Sequence, residues 1–207
     1  MNSVLKAVTL PETMAQEPST ILQNSSALGV TSATAALYEY ITTSFDDAKL
    51  RVLEAGSGSG ILCIMLHLIH PHWDITGLEI QASLHNLAQA NAAALKVPVR
   101  LLCTDLRDYA DEHKYDLIVS NPPWQKTGQG LVSPKLERAI CKTELHCTMP
   151  DLLAFCQRNL NTKQHAVLLY PISRQQELLN EAGIAGLRLI NKVSVDKTTM
   201  IFHLQKG

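Results

Sequence analysis

The chain has 207 residues, of which 46% are hydrophobic and 18% charged, so it is long enough for one domain with a sizeable core. Its formal net charge of -1 argues against a bulk electrostatic attraction to nucleic acid, although a local basic patch is compatible with it. The N-terminus has no signal-peptide pattern, and the longest apolar stretch, Ile61 to Ile69, is too short to span a bilayer. Five cysteines without CxxC pairing are typical of reduced thiols. We therefore expect a cytoplasmic protein without a membrane anchor.

Predicted strands and helices alternate along most of the chain. After a loose polar leader over residues 1–18, the predicted helices cover residues 31–44, 60–69, 82–95, 134–146, 150–160 and 173–182. The predicted strands cover residues 49–55, 74–80, 97–103, 115–120, 165–170, 187–195 and 198–204. This order predicts an α/β fold with a mostly parallel seven-stranded sheet that ends in an antiparallel hairpin. We expect one domain over 1–207, in which 1–45 form the leader and a helix and 46–207 form the core.

A loop with glycine at every second position follows the first predicted strand: Gly56, Gly58 and Gly60. Open parallel sheets bind ligands outside the carboxyl ends of their strands, and glycine lets the backbone approach a ligand closely. The dinucleotide fingerprint G-x-G-x-x-G/A would place its last small residue on Ile61 or Cys63, so the spacing does not match. The Lys-Ser/Thr pair of a P-loop is also missing. An NAD-binding domain nevertheless stays an alternative.

Acidic residues mark the ends of three successive predicted strands around this loop. Glu54 precedes the glycines, Glu79 ends the second strand and Asp105 follows the third. A carboxylate at Glu79 can accept hydrogen bonds from both hydroxyls of a ribose, and Ile80 beside it can pack on an adenine. One such acid is usually only a solvated strand end. Three of them around one loop favour a nucleoside-containing cofactor.

The quartet Asn121-Pro122-Pro123-Trp124 follows the apolar strand predicted over residues 115–120. The Asn121 side-chain oxygen and the Pro122 carbonyl can accept hydrogen bonds from a planar NH2 group, which localises the nitrogen lone pair. The two prolines fix φ, so these acceptors are preorganised. Trp124 offers a flat face for a planar substrate. The alternative is a structural Pro-Pro turn beside a buried tryptophan.

These motifs together resemble the class I S-adenosylmethionine-dependent methyltransferases. Glu54-x-Gly56-x-Gly58-x-Gly60 resembles motif I of that class, and Asn121-Pro122-Pro123-Trp124 resembles the (N/D)PP(Y/F/W) signature of its amino-methyltransferases. The resemblance implies a Rossmann-like catalytic core and S-adenosylmethionine as cofactor. It also implies a cofactor site and a catalytic quartet at Asn121–Trp124. The implied cofactor residues are Glu54, Gly56, Gly58, Gly60, Glu79, Ile80, Asp105, Leu106 and Asn121, with Asp105 accepting from the adenine amine.

A later segment narrows the resemblance to one branch of this class. Residues 139–153, AICKTELHCTMPDLL, are similar to the tRNA1(Val) (adenine-37-N6)-methyltransferase family. This implies an enzyme of tRNA processing that binds tRNA and methylates N6 of an adenine, which must be turned out of its stack to react. Basic residues near the acceptor loop could then form a phosphate-binding rim: Lys126, Lys135, Arg138 and Lys142, with Arg107. Scattered basic residues are otherwise an ordinary solvated face.

Two other functions stay open at the level of the sequence. Release-factor glutamine N5-methyltransferases resemble the chain through the same Asn-Pro-Pro loop, so the acceptor could be a protein amide. A methyltransferase-like scaffold that only binds partners is the third hypothesis, but the intact Asn121 and glycine loop argue against it. The eight histidines show no metal spacing, so we expect no metal. We expect a monomer or a weak dimer.

Overall fold

The computed structural model describes residues 5–9, 20–24, 31–45, 49–124, 144 and 147–207. The described strands are β1 (Leu5–Thr9), β2 (Thr20–Asn24), β3 (Arg51–Ala55), β4 (Asp74–Glu79), β5 (Arg100–Cys103), β6 (Tyr115–Ser120), β7 (Leu160–Pro171), β8 (Leu187–Ser194) and β9 (Thr199–Lys206). The described α-helices are α1 (Ser32–Ser44), α2 (Ile61–Ile69), α3 (Ala82–Ala94), α4 (Met149–Asn159) and α5 (Gln175–Ile184). A 3-10 turn, Ile172–Arg174, joins β7 to α5.

Seven of these strands form one sheet in the order β5-β4-β3-β6-β7-β9-β8. The five strands from β5 to β7 are parallel to one another, and β9 and β8 complete the sheet as an antiparallel hairpin. The predicted α/β fold, with its seven-stranded sheet and C-terminal hairpin, is confirmed. Because the strand order reverses between β3 and β6, their carboxyl ends form the crevice where such sheets bind ligands.

Helices cover both faces of the sheet, and the alternation of side chains along each strand builds two separate cores. Leu117 and Val119 of β6 pack with α1 and α2 on one face. Ile118 between them packs with α4 and α5 on the other face. This is the period of two expected of a strand, and burial on both faces explains why β6 is almost continuously apolar.

Several elements differ from the prediction. The expected loose leader over residues 1–18 contains β1, which pairs antiparallel with β2 in a small sheet of its own. The last predicted helix ends at residue 182, but α5 continues to Ile184, and Gly186 takes the left-handed conformation with φ of 75°. Its N–H donates to the Gly183 carbonyl at 3.1 Å, so Gly186 is the glycine that follows the end of the helix.

Apart from Glu144, the helix predicted over residues 134–146 lies outside the described residues. Within the described ranges no helix combines the length and apolar character needed to cross a membrane.

Candidate active site

The glycine loop turns sharply at the carboxyl end of β3 and folds back over β4. The N–H groups of Gly56 and Ser57 both donate to the Leu78 carbonyl, at 2.9 and 2.8 Å. Gly56 and Gly58 have φ of 79° and 56°, in the left-handed region where side chains are strained, and an added Cβ on either would meet nothing within 4 Å. The backbone conformation therefore selects glycine here, and both glycines line the pocket.

Gly60 also has a packing role that the sequence did not predict. It begins α2 with φ of 78°, and a Cβ added there would lie 2.9 Å from the Cβ of Ala88 in α3. Gly60 is not among the pocket-lining residues, whereas Gly56 and Gly58 are. The close approach of α2 and α3 explains why a glycine stands at this position. Its contact with a cofactor stays a prediction.

Glu79 joins the glycine loop to the start of α3. Its Oε2 accepts the Gly58 N–H at 2.9 Å and its Oε1 accepts the Gln81 N–H at 2.8 Å. The side chain is buried, and burial raises the pKa of this carboxyl while the backbone N–H bonds oppose the rise. Each carboxylate oxygen has a second lone pair, so both hydroxyls of a ribose could still be accepted. These carboxylate acceptors therefore fit the ribose of an adenosine-containing cofactor.

Glu54 lines the same pocket from the end of β3. Its Oε2 accepts the Cys63 N–H at 3.2 Å and the Cys63 thiol at 2.9 Å, so α2 holds this carboxyl at its first turn. Burial raises the pKa of Glu54 to about 8, and the two hydrogen bonds from Cys63 only partly oppose this. The sequence singled out Glu54 but gave no sign of its thiol partner nine residues later.

Ile80, Asp105 and Leu106 line the part of the pocket beyond Glu79. Ile80 is 38% exposed, and its packing on an adenine stays a prediction. Arg107 engages both oxygens of the Asp105 carboxylate, with Nε 3.0 Å from Oδ1 and Nη2 2.5 Å from Oδ2. This ion pair, which the sequence did not predict, competes for the oxygens proposed to accept from the adenine amine.

The acceptor loop reaches the same pocket from the end of β6. Asn121, Pro122 and Pro123 line it together with the glycine loop. The Ser120 hydroxyl donates to the Ala55 carbonyl at 2.7 Å, and this buried hydrogen bond ties β6 to β3 one residue before each loop begins. The structure thus brings together the two loops that the sequence singled out, although they are more than sixty residues apart.

Trp124 differs from the other three residues of the quartet. It is not among the pocket-lining residues but packs against both hydrophobic cores. Its indole Nε1–H donates to the Leu169 carbonyl of β7 at 3.0 Å, and its own carbonyl accepts from Arg174 at 3.1 Å. Both contacts fix Trp124 to the end of β7. Its role as a stacking surface stays a prediction.

Some pocket residues were missed by the sequence analysis. They include Thr34, Ser57, Ser59, Leu84, Ser120 and Cys147. Ser57 and Ser59 occupy the variable positions of the glycine loop, and Thr34 lies in the first turn of α1, where Thr31 caps the helix. Asn91 supports the loop from α3 by donating to the Ser59 carbonyl at 3.0 Å. Nothing in the local sequence identifies the Asn91 contact, because it joins separate elements.

The predicted phosphate-binding residues Lys126, Lys135, Arg138 and Lys142 lie outside the described residues. Arg107 is described and lies on the pocket rim beside Asp105. Next to it, the Arg158 guanidinium donates to the Leu106 carbonyl at 3.1 Å and is exposed. In the part of the chain that the structure describes, no group of three His, Cys, Asp or Glu side chains could hold a metal ion.

Known proteins similar to this chain are methyltransferases. The model of the methyltransferase small domain family matches residues 25–170. A tRNA1(Val) (adenine(37)-N6)-methyltransferase of Aeromonas salmonicida (strain A449) is 29% identical over 166 residues, which cover 76% of this chain and 69% of that protein. A release factor glutamine methyltransferase of Koribacter versatilis (strain Ellin345) is 31% identical over 104 residues, covering 50% of this chain and 36% of that protein.

Most of these matches cover only part of the relative. Three further relatives named tRNA1(Val) (adenine(37)-N6)-methyltransferase are matched over 60%, 38% and 55% of their own length. The chain therefore spans less than two thirds of most of the curated relatives that it matches.

A solved structure supports the same fold. The T. thermophilus 16S rRNA N2 G1207 methyltransferase RsmC, in complex with AdoMet and guanosine, has a TM-score of 0.72 at 18% identity and covers 100% of this chain and 52% of its own. This likeness confirms the predicted Rossmann-like methyltransferase fold. The family match confirms the predicted class of methyltransferases and its cofactor. The chain belongs to the methyltransferase small domain family, whose members are S-adenosylmethionine-dependent enzymes.

Proposed function

We propose that this protein is an S-adenosylmethionine-dependent N-methyltransferase that methylates an exocyclic amine, and that the amine is N6 of an adenine in tRNA. The observation that carries the proposal is the shared pocket: Glu79 and the glycine loop line one part, and Asn121 and Pro122 line another. A cofactor site and an amine-binding site thus open onto one another. Methyl transfer needs this arrangement because donor and acceptor must meet in line.

In the part of the pocket proposed to bind the cofactor, some residues would hold the ribose and others would flank the adenine. Glu79 would accept the ribose hydroxyls, and Ile80 and Leu106 would pack on the adenine, with Asp105 accepting from its amine. Gly56 and Gly58 keep the floor of the pocket free of side chains. Bound S-adenosylmethionine would supply a methyl sulfonium, whose S–C bond breaks as the new N–C bond forms, with the surplus proton on nitrogen passing to water.

Asn121 would act on the acceptor. Its side-chain oxygen and the Pro122 carbonyl would accept hydrogen bonds from the NH2 group and direct the nitrogen lone pair toward the methyl group. Because Pro122 and Pro123 fix φ, these acceptors need no reorganisation during the reaction. A strong base is unnecessary, since the nitrogen becomes acidic once it is methylated.

Two observations support a tRNA acceptor. Relatives named tRNA1(Val) (adenine(37)-N6)-methyltransferase match with up to 76% of this chain covered. The exposed Arg107 and Arg158 lie beside Leu106 on the pocket rim, where a phosphate could approach. Lys126, Lys135, Arg138 and Lys142 would extend this rim.

The second candidate is a glutamine side chain of a release factor. Its support is the match to release factor glutamine methyltransferases, such as the one of Koribacter versatilis. An amide NH2 is planar like that of adenine, so the Asn121 side-chain oxygen could accept a hydrogen bond from either group. The third candidate, a scaffold that binds partners without catalysis, has no such support, because both loops that catalysis needs are intact.

The test is methyl transfer from labelled S-adenosylmethionine to total tRNA and, separately, to a purified release factor. We expect N6-methyladenosine in tRNA. Asn121→Ala should lower kcat by about 10²–10³-fold, far more than it lowers cofactor affinity, since its contact with the amine matters mainly in the transition state. Near-normal turnover of this variant would mean that the loop is structural.

The nucleoside profile of tRNA from cells lacking the protein decides between the acceptors. Unchanged N6-methyladenosine, together with methylation of a release-factor glutamine by the purified protein, would establish the protein acceptor instead. Transfer to neither acceptor would contradict the proposal.

A further inference from the structure

Arg174 lies next to the acceptor loop, at the end of the 3-10 turn that follows β7, and is 8% exposed. One side of its guanidinium donates from Nη1 to the Trp124 carbonyl at 3.1 Å and to Oε1 of Glu144 at 2.5 Å. The other side donates from Nε and Nη2 to Glu177 of α5, at 3.1 and 2.7 Å. We name Arg174 and these three partners the Arg174 cluster. It joins segments that are up to 50 residues apart in sequence.

The Arg174 cluster is one of two attachments that fix Trp124 to the end of β7. The other is the hydrogen bond from its indole to the Leu169 carbonyl at 3.0 Å. At its opposite end the acceptor loop follows Ser120 of β6, whose hydroxyl donates to the Ala55 carbonyl of β3 at 2.7 Å. The quartet is therefore held at both ends by separate strands.

The two prolines of the loop couple the position of Trp124 to that of Asn121. Pro122 and Pro123 have fixed φ, so the four residues have few ways to absorb a shift at one end. A displacement of the Trp124 carbonyl would therefore move the Pro122 carbonyl and the Asn121 amide relative to the cofactor half of the pocket. Displacements of about 1 Å can cost about 10²-fold in rate when a reaction depends on alignment.

Energetics also favour a geometric role for the Arg174 cluster. Burying a guanidinium and a carboxylate costs free energy, and apolar pairs of similar volume are often as stable or more stable. The Arg174 and Glu144 side chains are only 10% and 7% exposed, so both are largely desolvated. What an apolar pair could not supply is a donor aimed at the Trp124 carbonyl. A planar guanidinium does this while it bonds two carboxylates.

We propose that Arg174 is a positioning residue for methyl transfer, which holds the acceptor loop in its reactive geometry through the Trp124 carbonyl. The inference rests on the proposed function of that loop. It assigns Arg174 no contact with substrate or cofactor. Loss of its donor should therefore lower kcat and leave cofactor affinity unchanged.

The test compares Arg174→Lys with Arg51→Lys. Lysine keeps the charge but lacks the planar fork, so it cannot serve all three partners at once. Arg51 is a suitable control because it is also paired with carboxylates, Asp74 and Asp111, but lies at the amino end of β3, opposite the end that carries the pocket. With total tRNA as acceptor, Arg174→Lys should lower kcat about 10–100-fold, and calorimetry should give an S-adenosylhomocysteine Kd within about twofold of wild type. Arg51→Lys should leave kcat within about twofold.

A double variant separates positioning from stability. Arg174→Met combined with Glu144→Leu replaces the buried pair by apolar side chains, which preserves folding in comparable pairs. We expect this variant to fold, to bind S-adenosylhomocysteine normally and to lose kcat about as much as Arg174→Lys. A folded double variant with wild-type kcat would overturn the inference.

A second readout does not depend on the acceptor. The sequence has two tryptophans, so Trp73→Phe leaves Trp124 as the only one. In that background, acrylamide quenching of Trp124 should increase when Arg174→Lys is added and should not change with Arg51→Lys. If wild type methylates neither tRNA nor a release factor while quenching changes as expected, the proposed function fails and the positioning of the loop stands. If Arg174→Lys leaves the quenching of Trp124 unchanged, Arg174 does not position the loop and the inference is overturned.

Discussion

At the scale of single residues, Glu54 and Glu79 show how two buried carboxylates in one pocket obtain different surroundings. Glu79 accepts two backbone N–H groups, from Gly58 and Gln81, which stabilise its charged form. Glu54 accepts both of its hydrogen bonds, one backbone N–H and one weak thiol donor, from a single residue, Cys63. Burial therefore dominates at Glu54 and raises its pKa to about 8. Glu79 is better suited to act as a charged acceptor.

The raised pKa of Glu54 predicts a pH-dependent stability. Below its unfolded value, about 4.5, the group is protonated in both states. Between that value and about 8 only the folded state keeps the proton, so stability falls as pH rises. Glu54→Gln removes this loss. Its free energy of unfolding relative to wild type should grow with pH, by at most about 1.4 kcal/mol per pH unit.

Urea unfolding at a series of pH values between about 5 and 8 measures this difference. The exposed Glu112 provides a Glu→Gln control outside the pocket. A Glu54→Gln difference that is constant across the range would mean that the carboxyl is charged in the folded protein.

At the scale of elements, the start of α2 depends on how closely α3 packs against it. Gly60 has a positive φ and leaves no room for a Cβ, which would lie 2.9 Å from Ala88. Gly183 in α5 is the opposite case, because an added Cβ would meet nothing within 4 Å. The same substitution should therefore have opposite signs at the two positions.

We predict that Gly60→Ala destabilises the protein by about 2–4 kcal/mol, through left-handed strain and overpacking. Gly183→Ala should stabilise it by about 0.5–1 kcal/mol, since alanine has the higher helix propensity and restricts the unfolded chain. Urea unfolding of both variants measures the free energies. Equal stability of Gly60→Ala and wild type would show that α2 and α3 can separate.

At the scale of the whole molecule, the sheet topology makes one site from distant segments. β3 and β4 present the glycine loop and Glu79, and β6 presents Asn121, because the strand order reverses between β3 and β6. A ligand that binds there contacts several strands at once. Its binding should therefore stabilise the entire domain.

S-adenosylhomocysteine at about 100 times its Kd should raise Tm by roughly 5–10 °C, by mass action. Glu79→Ala should reduce this shift, because it removes acceptors whose charge-assisted hydrogen bonds are worth about 1.5–3 kcal/mol each. NAD at the same concentration should produce no shift. Thermal unfolding measures all three, and an equal or larger shift with NAD would contradict the cofactor assignment.

The sequence by itself determined the alternation of strands and helices, the closing hairpin and the two loops that meet in the pocket. These features are local: side-chain periodicity defines the elements, and Gly56, Gly58 and the two prolines restrict their own backbone. Only the tertiary structure decided that Gly60 faces Ala88, that Cys63 bonds Glu54 and that Trp124 is fixed by Leu169 and Arg174. Most of these contacts join residues from separate strands and helices. A hydrogen bond across such a distance in sequence depends on strand order and packing, which no local pattern encodes.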